Sequence, residues 1–361
     1  MPDFDNGVSA AGITWGSMAR PPGAQFHPTV KDIAMPDSLS VRCLRRYWAI
    51  ALAAMCAMSP ALAQPTDAPA RIVVGFPAGG SADAVARLLT EKLSVQLGRP
   101  VIVDNRPGAG GRIAAAALKS APSDGSVVML APEALTVTNP LVFRKLAYAV
   151  SDLAPISMVA EFPYVLAAGS AAGAKTLPDF VKWARQSPER ASFGSPAAGS
   201  PLHFFGLLVG QVTQLPMVHV PFQGGAPLVT AMAGGHVPAG INTLGDMLEM
   251  HRSGKVQVLA VSGRDRAPLL PDVPTFAESG YPGTQVKGWY GLYAPAATPP
   301  AAIAQWNTAL RKVLAERDVY ARLMAIGLQP RPGSPAELRA AQDAGLAVWA
   351  PVVKASGFYL D

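Results

Sequence analysis

Five times in this chain a short apolar run leads into a loop rich in glycine or proline and then into a helix-forming segment. Strands alternating with helices restrict a chain to α/β architectures with mainly parallel sheets, because parallel neighbours need a crossover between them. The first unit is the clearest. Ile72-Val73-Val74 reads as a strand, Phe76-Pro77-Ala78-Gly79-Gly80 as a loop, and Val85, Leu88, Leu89 and Leu93 as the apolar stripe of a helix. Ser81 stands where an N-cap belongs, and Asp83 falls in the first turn, where a negative charge suits the helix dipole. Gly79 and Gly80 leave backbone N–H groups bare at the positive end of that helix, a setting that can hold an anion. The same residues also make an ordinary turn between strand and helix, and both readings stand at this point.

The pattern repeats at Val101-Ile102-Val103 before residues 104–111, and at Val127-Val128-Met129-Leu130 before Ala131-Pro132-Glu133. Residues 151–170 read as a strand leaving this first array, and a helix is expected over 177–185. The pattern then returns. Ala191-Ser192-Phe193 precedes a loop at 194–200 and a helix, and Met217-Val218-His219-Val220 precedes a loop at 221–225 and another helix. Further strands are expected at 239–242 and 256–261, a returning strand at 286–293, and helices at 301–317 and 335–349. Glycine-rich loops at strand C-termini are where open α/β sheets bind ligands, and two arrays facing one another there enclose a cleft. The expected lobes are residues 70–170 with 291–361, and residues 171–290. Two chain crossings between them would act as a hinge.

The N-terminal 63 residues read differently. Arg42, Arg45 and Arg46 precede an apolar stretch, Tyr47 to Met58, that is too short to span a bilayer, and Ala61-Leu62-Ala63 forms an A-x-A cleavage site. A secretory signal over about 35–63 is expected, cleaved after Ala63, with an upstream extension before Met35. Both cysteines, Cys43 and Cys56, lie in that segment, so the exported chain would enter an oxidising compartment without a disulfide. Its removal takes five Lys or Arg and four Asp or Glu, which lowers the net charge from +6 to +5. No basic run remains and the protein is exported, so nucleic acid is not expected as a partner.

The motifs, taken in order, resemble one family. They are Phe76 to Gly80 with Asp83 and Arg87; Asn105 to Gly111; Asp124-Gly125; Gly194-Ser195 with Gly199-Ser200 and His203; and His219 to Phe222. Leu259 to Ser262, Pro271 to Thr275 with Glu278 and Gly280, and Trp289 with Ala294-Pro295 complete the set. The chain is similar to the periplasmic substrate-binding proteins of tripartite tricarboxylate transporters, the Bug or TctC type. The resemblance implies a two-lobed type II periplasmic-binding fold, a Venus flytrap, with a mainly parallel sheet flanked by helices in each lobe. It implies a small carboxylate in the cleft and membrane subunits of such a transporter as partner; a ligand sensor serving a sensor kinase would have the same cleft, and a monomer is expected. It places the proximal carboxylate on the first loop, at Phe76, Ala78, Gly79, Gly80 and Ser81, through backbone amides and ordered water. The second lobe would close with Ser195, Ala198, Gly199 and Ser200, and with Phe222, Gln223, Gly224 and Ala226.

Several positions depart from the family's habit. Gln223 stands where Lys is common, Pro238 and Asn242 where Asp is common, Arg112 where Asn is frequent, and Glu133 where a small polar residue is usual. These bear on the distal half of the ligand, with Glu133 and Asn242 as candidate contacts. Glu133 either faces an amino, amide or hydroxyl group of the ligand or points to solvent. Ser81, Ser195 and Ser200 either cap helices or bond the ligand. Asp83 reads as a helix-terminus residue before a ligand contact, Asn105 and Arg106 as holders of their own loop, and Trp289 and Tyr290 as hinge or core aromatics before lining of the cleft.

No cofactor or metal is expected. His203, His219, His236 and His251 lack metal-ligand spacing, and no H-E-x-x-H, G-x-S-x-G or P-loop pattern occurs. Residues 108–113 approach a dinucleotide fingerprint, but Ile113 stands where its last glycine belongs. The expectation is a binding protein and not an exported α/β hydrolase.

Overall fold

One strand of sixteen residues, β4 (Leu153–Ala168), ties the molecule together. In the computed structural model, which describes residues 68–361, β4 belongs to two ladders in turn. Its residues 153–163 pair antiparallel with β9 (Lys287–Pro295), and Tyr164 onward pairs with β7 (Ala239–Thr243) and β8 (Gln257–Val261). Pro163 has no N–H to give, and it sits where one ladder ends and the other starts. The leader expected over 35–63 lies outside the described residues.

The first lobe is built on β1 (Ala70–Val74) flanked in parallel by β2 (Val101–Asn105) and β3 (Val127–Pro132), with Ile72 opposite Val103 on one side and Val128 on the other. β9 then adds antiparallel to β3 and passes the sheet on to β4. In the second lobe β5 (Ser192–Ser195) lies between β6 (Val218–Pro221) and β7, parallel to both. Parallel strands therefore occupy the outer part of each lobe, and the antiparallel pairs fall where the chain crosses. The division expected at residues 170 and 290 falls just after β4 and inside β9. The described residues, 68–361, form one compact unit.

Crossover helices cover the sheets. α1 (Ser81–Leu97) buries Val85, Leu89 and Leu93, a stripe at four-residue spacing, and stops at Gly98 in the left-handed conformation. α2 (Arg112–Lys119) and a single turn, α3 (Asn139–Val142), complete the first array. The second carries α4 (Leu177–Gln186), α5 (Pro201–Thr213), α6 (Gly225–Ala233) and α7 (Leu244–Arg252). The helix expected over 301–317 is two. α8 (Pro300–Ala315) ends where Glu316 turns extended, and α9 (Arg317–Ala325) follows, with Lys92 of α1 paired to both Glu316 and Asp318 across the break. The last helix, α10 (Pro335–Ser356), opens with a Ser334–Glu337 capping box and runs on through Pro351, which is exposed, to Gly357. Among the described residues no helix is long and apolar enough to cross a membrane.

Candidate functional site

The loops that leave β1, β3, β5, β6 and β7 converge on one cavity of about 260 Å³. The first loop contributes Phe76, Gly80 and Ser81, and the segment after β3 contributes Glu133. From the second lobe come Ala198 and Ser200 ahead of α5, Gln223, Gly224 and Ala226 around the start of α6, and Asn242 at the end of β7. All of these were expected from sequence.

Five other expected residues do not line it. Ala78 and Gly79 are exposed, and the Gly79 N–H, read from sequence as bare, donates to Asp83 Oδ2 at 3.0 Å. Ser195 is fully buried, with Oγ at 2.8 Å from His219 Nε2 and donating to the Ala197 carbonyl. The Gly199 N–H donates to His203 Nδ1, and Phe222 packs its ring on the bare Cα of Gly194, where a Cβ would come within 2.8 Å. Ser200 caps α5, accepting from the His203 amide, and its side chain still borders the cavity. Ser81 is not a cap: Gly80 is the N-cap of α1, without a side-chain bond.

Residues that sequence reasoning did not select make a direct polar link between the lobes. Asp246, in the first turn of α7, accepts at Oδ1 from both the Ser81 amide (2.9 Å) and the Ser81 hydroxyl (2.6 Å). One carboxylate thus answers the positive ends of two helices, its own and α1. Burial pushes the Asp246 carboxyl up, and the Ser81 bonds work against that rise. Gly225 makes the approach possible, because a Cβ there would lie 1.9 Å from Asp246 Oδ2. Thr243 caps α7 and meets Ser81 Oγ at 3.1 Å. Other lobe-to-lobe contacts are as close: a Cβ on Gly199 would fall 2.9 Å from Val142, and one on Gly110 would fall 3.2 Å from Ala197.

The floor is aromatic. Phe162, Tyr164 and Tyr290 form a tilted cluster, with centroids 4.8 Å apart for Phe162 and Tyr290. Gly288 lets it form, since a Cβ would meet both Phe162 and Tyr164 at 2.4 Å. Trp289 and Tyr290 are buried, as core aromatics should be, and both also line the cavity. Glu133 sits in this floor, 4% exposed, and Oε1 accepts a short hydrogen bond from the Tyr164 hydroxyl. It does not point to solvent. Burial pushes its pKa to about 8, against the Tyr164 bond.

Asn242 is 0% exposed; its Oδ1 accepts from the Thr243 amide, and its Nδ2 helps hold the Asp246 charge without closing a hydrogen bond. Arg112 borders the cavity, its guanidinium 3.5 Å above the Phe143 ring.

Asp83 takes no part. Burial alone would raise its carboxyl, but bonds from Arg87, Gly79 and Asn105 hold it below the usual range. Asn105 also donates to the Phe76 carbonyl, so it ties the first loop rather than its own, whereas Arg106 pairs with Asp104 beside it. Among the described residues no three His, Cys, Asp or Glu side chains converge to hold a metal.

Comparison with known proteins places this arrangement. The family described as tripartite tricarboxylate transporter family receptor, TctC, matches residues 85–358. The chain belongs to the tripartite tricarboxylate transporter receptor family. Protein BugT of Bordetella pertussis is 33% identical over 80% of this chain and 89% of its own. Among solved structures, Rpa4515 of R. palustris with adipate is 31% identical, with a TM-score of 0.78 over 82% of this chain and 99% of its own. MatC of Rhodopseudomonas palustris with bound malate is also 31% identical, with a TM-score of 0.74 over 79% and 98%. The receptor is thus of the Bug and TctC type that its ordered motifs imply, with the two-lobed fold. It is a solute-binding protein and not an enzyme.

Proposed function

We propose that this receptor is exported to the periplasm, captures a small carboxylate in the cavity between its lobes and delivers it to the membrane subunits of a tripartite tricarboxylate transporter. The lobes, residues 70–170 with 291–361 and residues 171–290, close on the ligand by flexing where β4 and β9 cross. The observation that carries the reading is the set of donors that meet in one enclosed space: the first-turn amides of α1 beyond Ser81 and those of α6, whose N-caps bring no side-chain bond, and Arg112. Two solved relatives hold adipate and malate, which supports a carboxylate here.

A thermal-shift screen of carboxylates, sugars and cations tests it. A ligand at 100 times its Kd adds about 2.7 kcal/mol of stability, which for a chain of this size raises the transition by roughly 2–10 °C. A screen in which sugars or cations shift the transition and no carboxylate does would refute the reading. Intact-mass analysis of the exported protein tests cleavage after Ala63, and a retained Cys56 bearing lipid would refute it.

A further inference from the structure

Two acids face the cavity, Glu133 and Asp246, against one cation, Arg112. Among the described residues neither acid has a cationic partner. Asp246 is answered by Ser81, Asn242 and the helix ends. Glu133 has far less. Among the described residues its side chain makes one hydrogen bond, to Tyr164 on Oε1, and none donates to Oε2. The groups packed around it are neutral: Tyr164 and Phe162 from β4, Tyr290 and Tyr293 from β9, and behind them Gln342 and Trp349 from α10. The cavity is also lined by Asp246, of like sign, and by Arg112, which is stacked on Phe143 and paired with no acid among the described residues.

A carboxylate buried among rings without a counter-ion is strongly disfavoured. It keeps its proton until a cation arrives. A plain dicarboxylate brings none and adds a second negative charge to be buried beside it. An ammonium group suits the open Oε2, and the aromatic faces around it favour a cation further.

Resting on the reading of this cavity as a carboxylate site, we propose that the ligand also carries a protonated amine, which pairs with Glu133 while the ligand's carboxylate meets Arg112. Glu133 then gives up its proton to solvent when the ligand binds. Such a ligand is an amino acid or an ω-amino acid, and the residue at position 133 selects it over the amine-free acid of the same length.

The test is calorimetry at pH 7 in phosphate and in Tris, whose ionisation enthalpies differ, with matched probes: succinate against aspartate, butyrate against 4-aminobutyrate, and 3-phenylpropionate against phenylalanine. In at least one pair the amine-bearing member should bind tenfold tighter or more and release close to one proton. At pH 9, where Glu133 is already ionised, the release should vanish and the preference persist. Glu133→Gln should abolish the release and bring the two members of that pair within a few fold. The buffer dependence of the wild-type protein decides the matter alone if that variant fails to fold. Amine-free acids that bind as tightly as their partners, or binding of the amine without proton release, would overturn the inference and leave the carboxylate reading standing. Failure of every probe and of a wider carboxylate panel would overturn both.

Discussion

Replacing Glu133 by Gln should alter the pH dependence of stability before any ligand is added. The side chain keeps its shape, its Oε1 still accepts from Tyr164, and only the titrating proton is lost. In the folded protein the Glu133 pKa climbs from an ordinary 4.5 to about 8, and burial is the cause. Each unit is worth about 1.36 kcal/mol, so ionising this group in the folded state costs about 5 kcal/mol more than in the unfolded chain. The pKa is raised on folding, so the stabilising contribution is complete below about pH 4.5 and is lost as the pH climbs through about 8. Urea unfolding of both proteins at pH 5, 6.5 and 8 gives the comparison. Relative to the Gln variant, the wild-type protein should lose stability by about 1.4 kcal/mol per pH unit over that range. Groups with lowered pKa values, such as Asp83 and Glu278, push the other way but are common to both proteins and cancel in the difference. A difference that stays constant from pH 5 to pH 8 would refute the burial of an uncompensated carboxyl at this position.

Asp246→Ala removes two hydrogen bonds from Ser81 to a charged acceptor, and should cost about 2–4 kcal/mol in denaturant unfolding; an unchanged midpoint would show that the lobes do not lean on this contact. Gly225→Ala should displace Asp246, whose Oδ2 lies 1.9 Å from the new Cβ, and the same change made in Asp246→Ala should cost much less; additive losses in that cycle would refute the close approach. Gly79→Val places a branched residue at φ +91 with open space around it, a strain of about 1–3 kcal/mol; carboxylate affinity should survive, because Gly79 does not border the cavity, and its loss would return the first loop's bare amide to the site.

Most of the strand and helix order was legible because it rests on local pattern. Val85, Leu89 and Leu93 declare a helix, and the glycine loops mark the strand ends in sequence as they do in space. The break at Glu316 was not legible, since no Gly or Pro marks it; Lys92, more than two hundred positions earlier, meets the acids on either side. The last helix runs past its expected end at Trp349, because Pro351 lies on the exposed side of α10, where losing one backbone bond is tolerated. The site divides in the same way. Loop residues such as Ser81 and Gly224 could be found because glycine and small polar residues at strand ends are a local signal. Asp246 could not, for Thr243 and Asp246 spell an ordinary helix start, and only the fold brings that start within 2.6 Å of Ser81. Gly79 misled for the converse reason: its amide was free in any reading of the loop alone, and Asp83, one turn into the helix, takes it.

The pairing of Ser81 with Asp246 also bears on how ligand binding and lobe closure are coupled. A ligand shifts an equilibrium between open and closed lobes only through contacts that differ between the two. In the closing motion proposed above, part of the contact is protein to protein, through Ser81, Thr243 and Asp246 and through the close packing of Gly199 on Val142. The ligand therefore has to contribute only the remainder, and its apparent affinity scales with the fraction of molecules already able to close. Weakening the latch lowers that fraction without touching the groups that read the ligand. Loss of affinity from Asp246→Ala should then fall evenly on amine-bearing and amine-free acids, whereas loss from Glu133→Gln should fall on the amine-bearing ones. That difference in pattern separates a residue that holds the lobes from one that chooses the ligand.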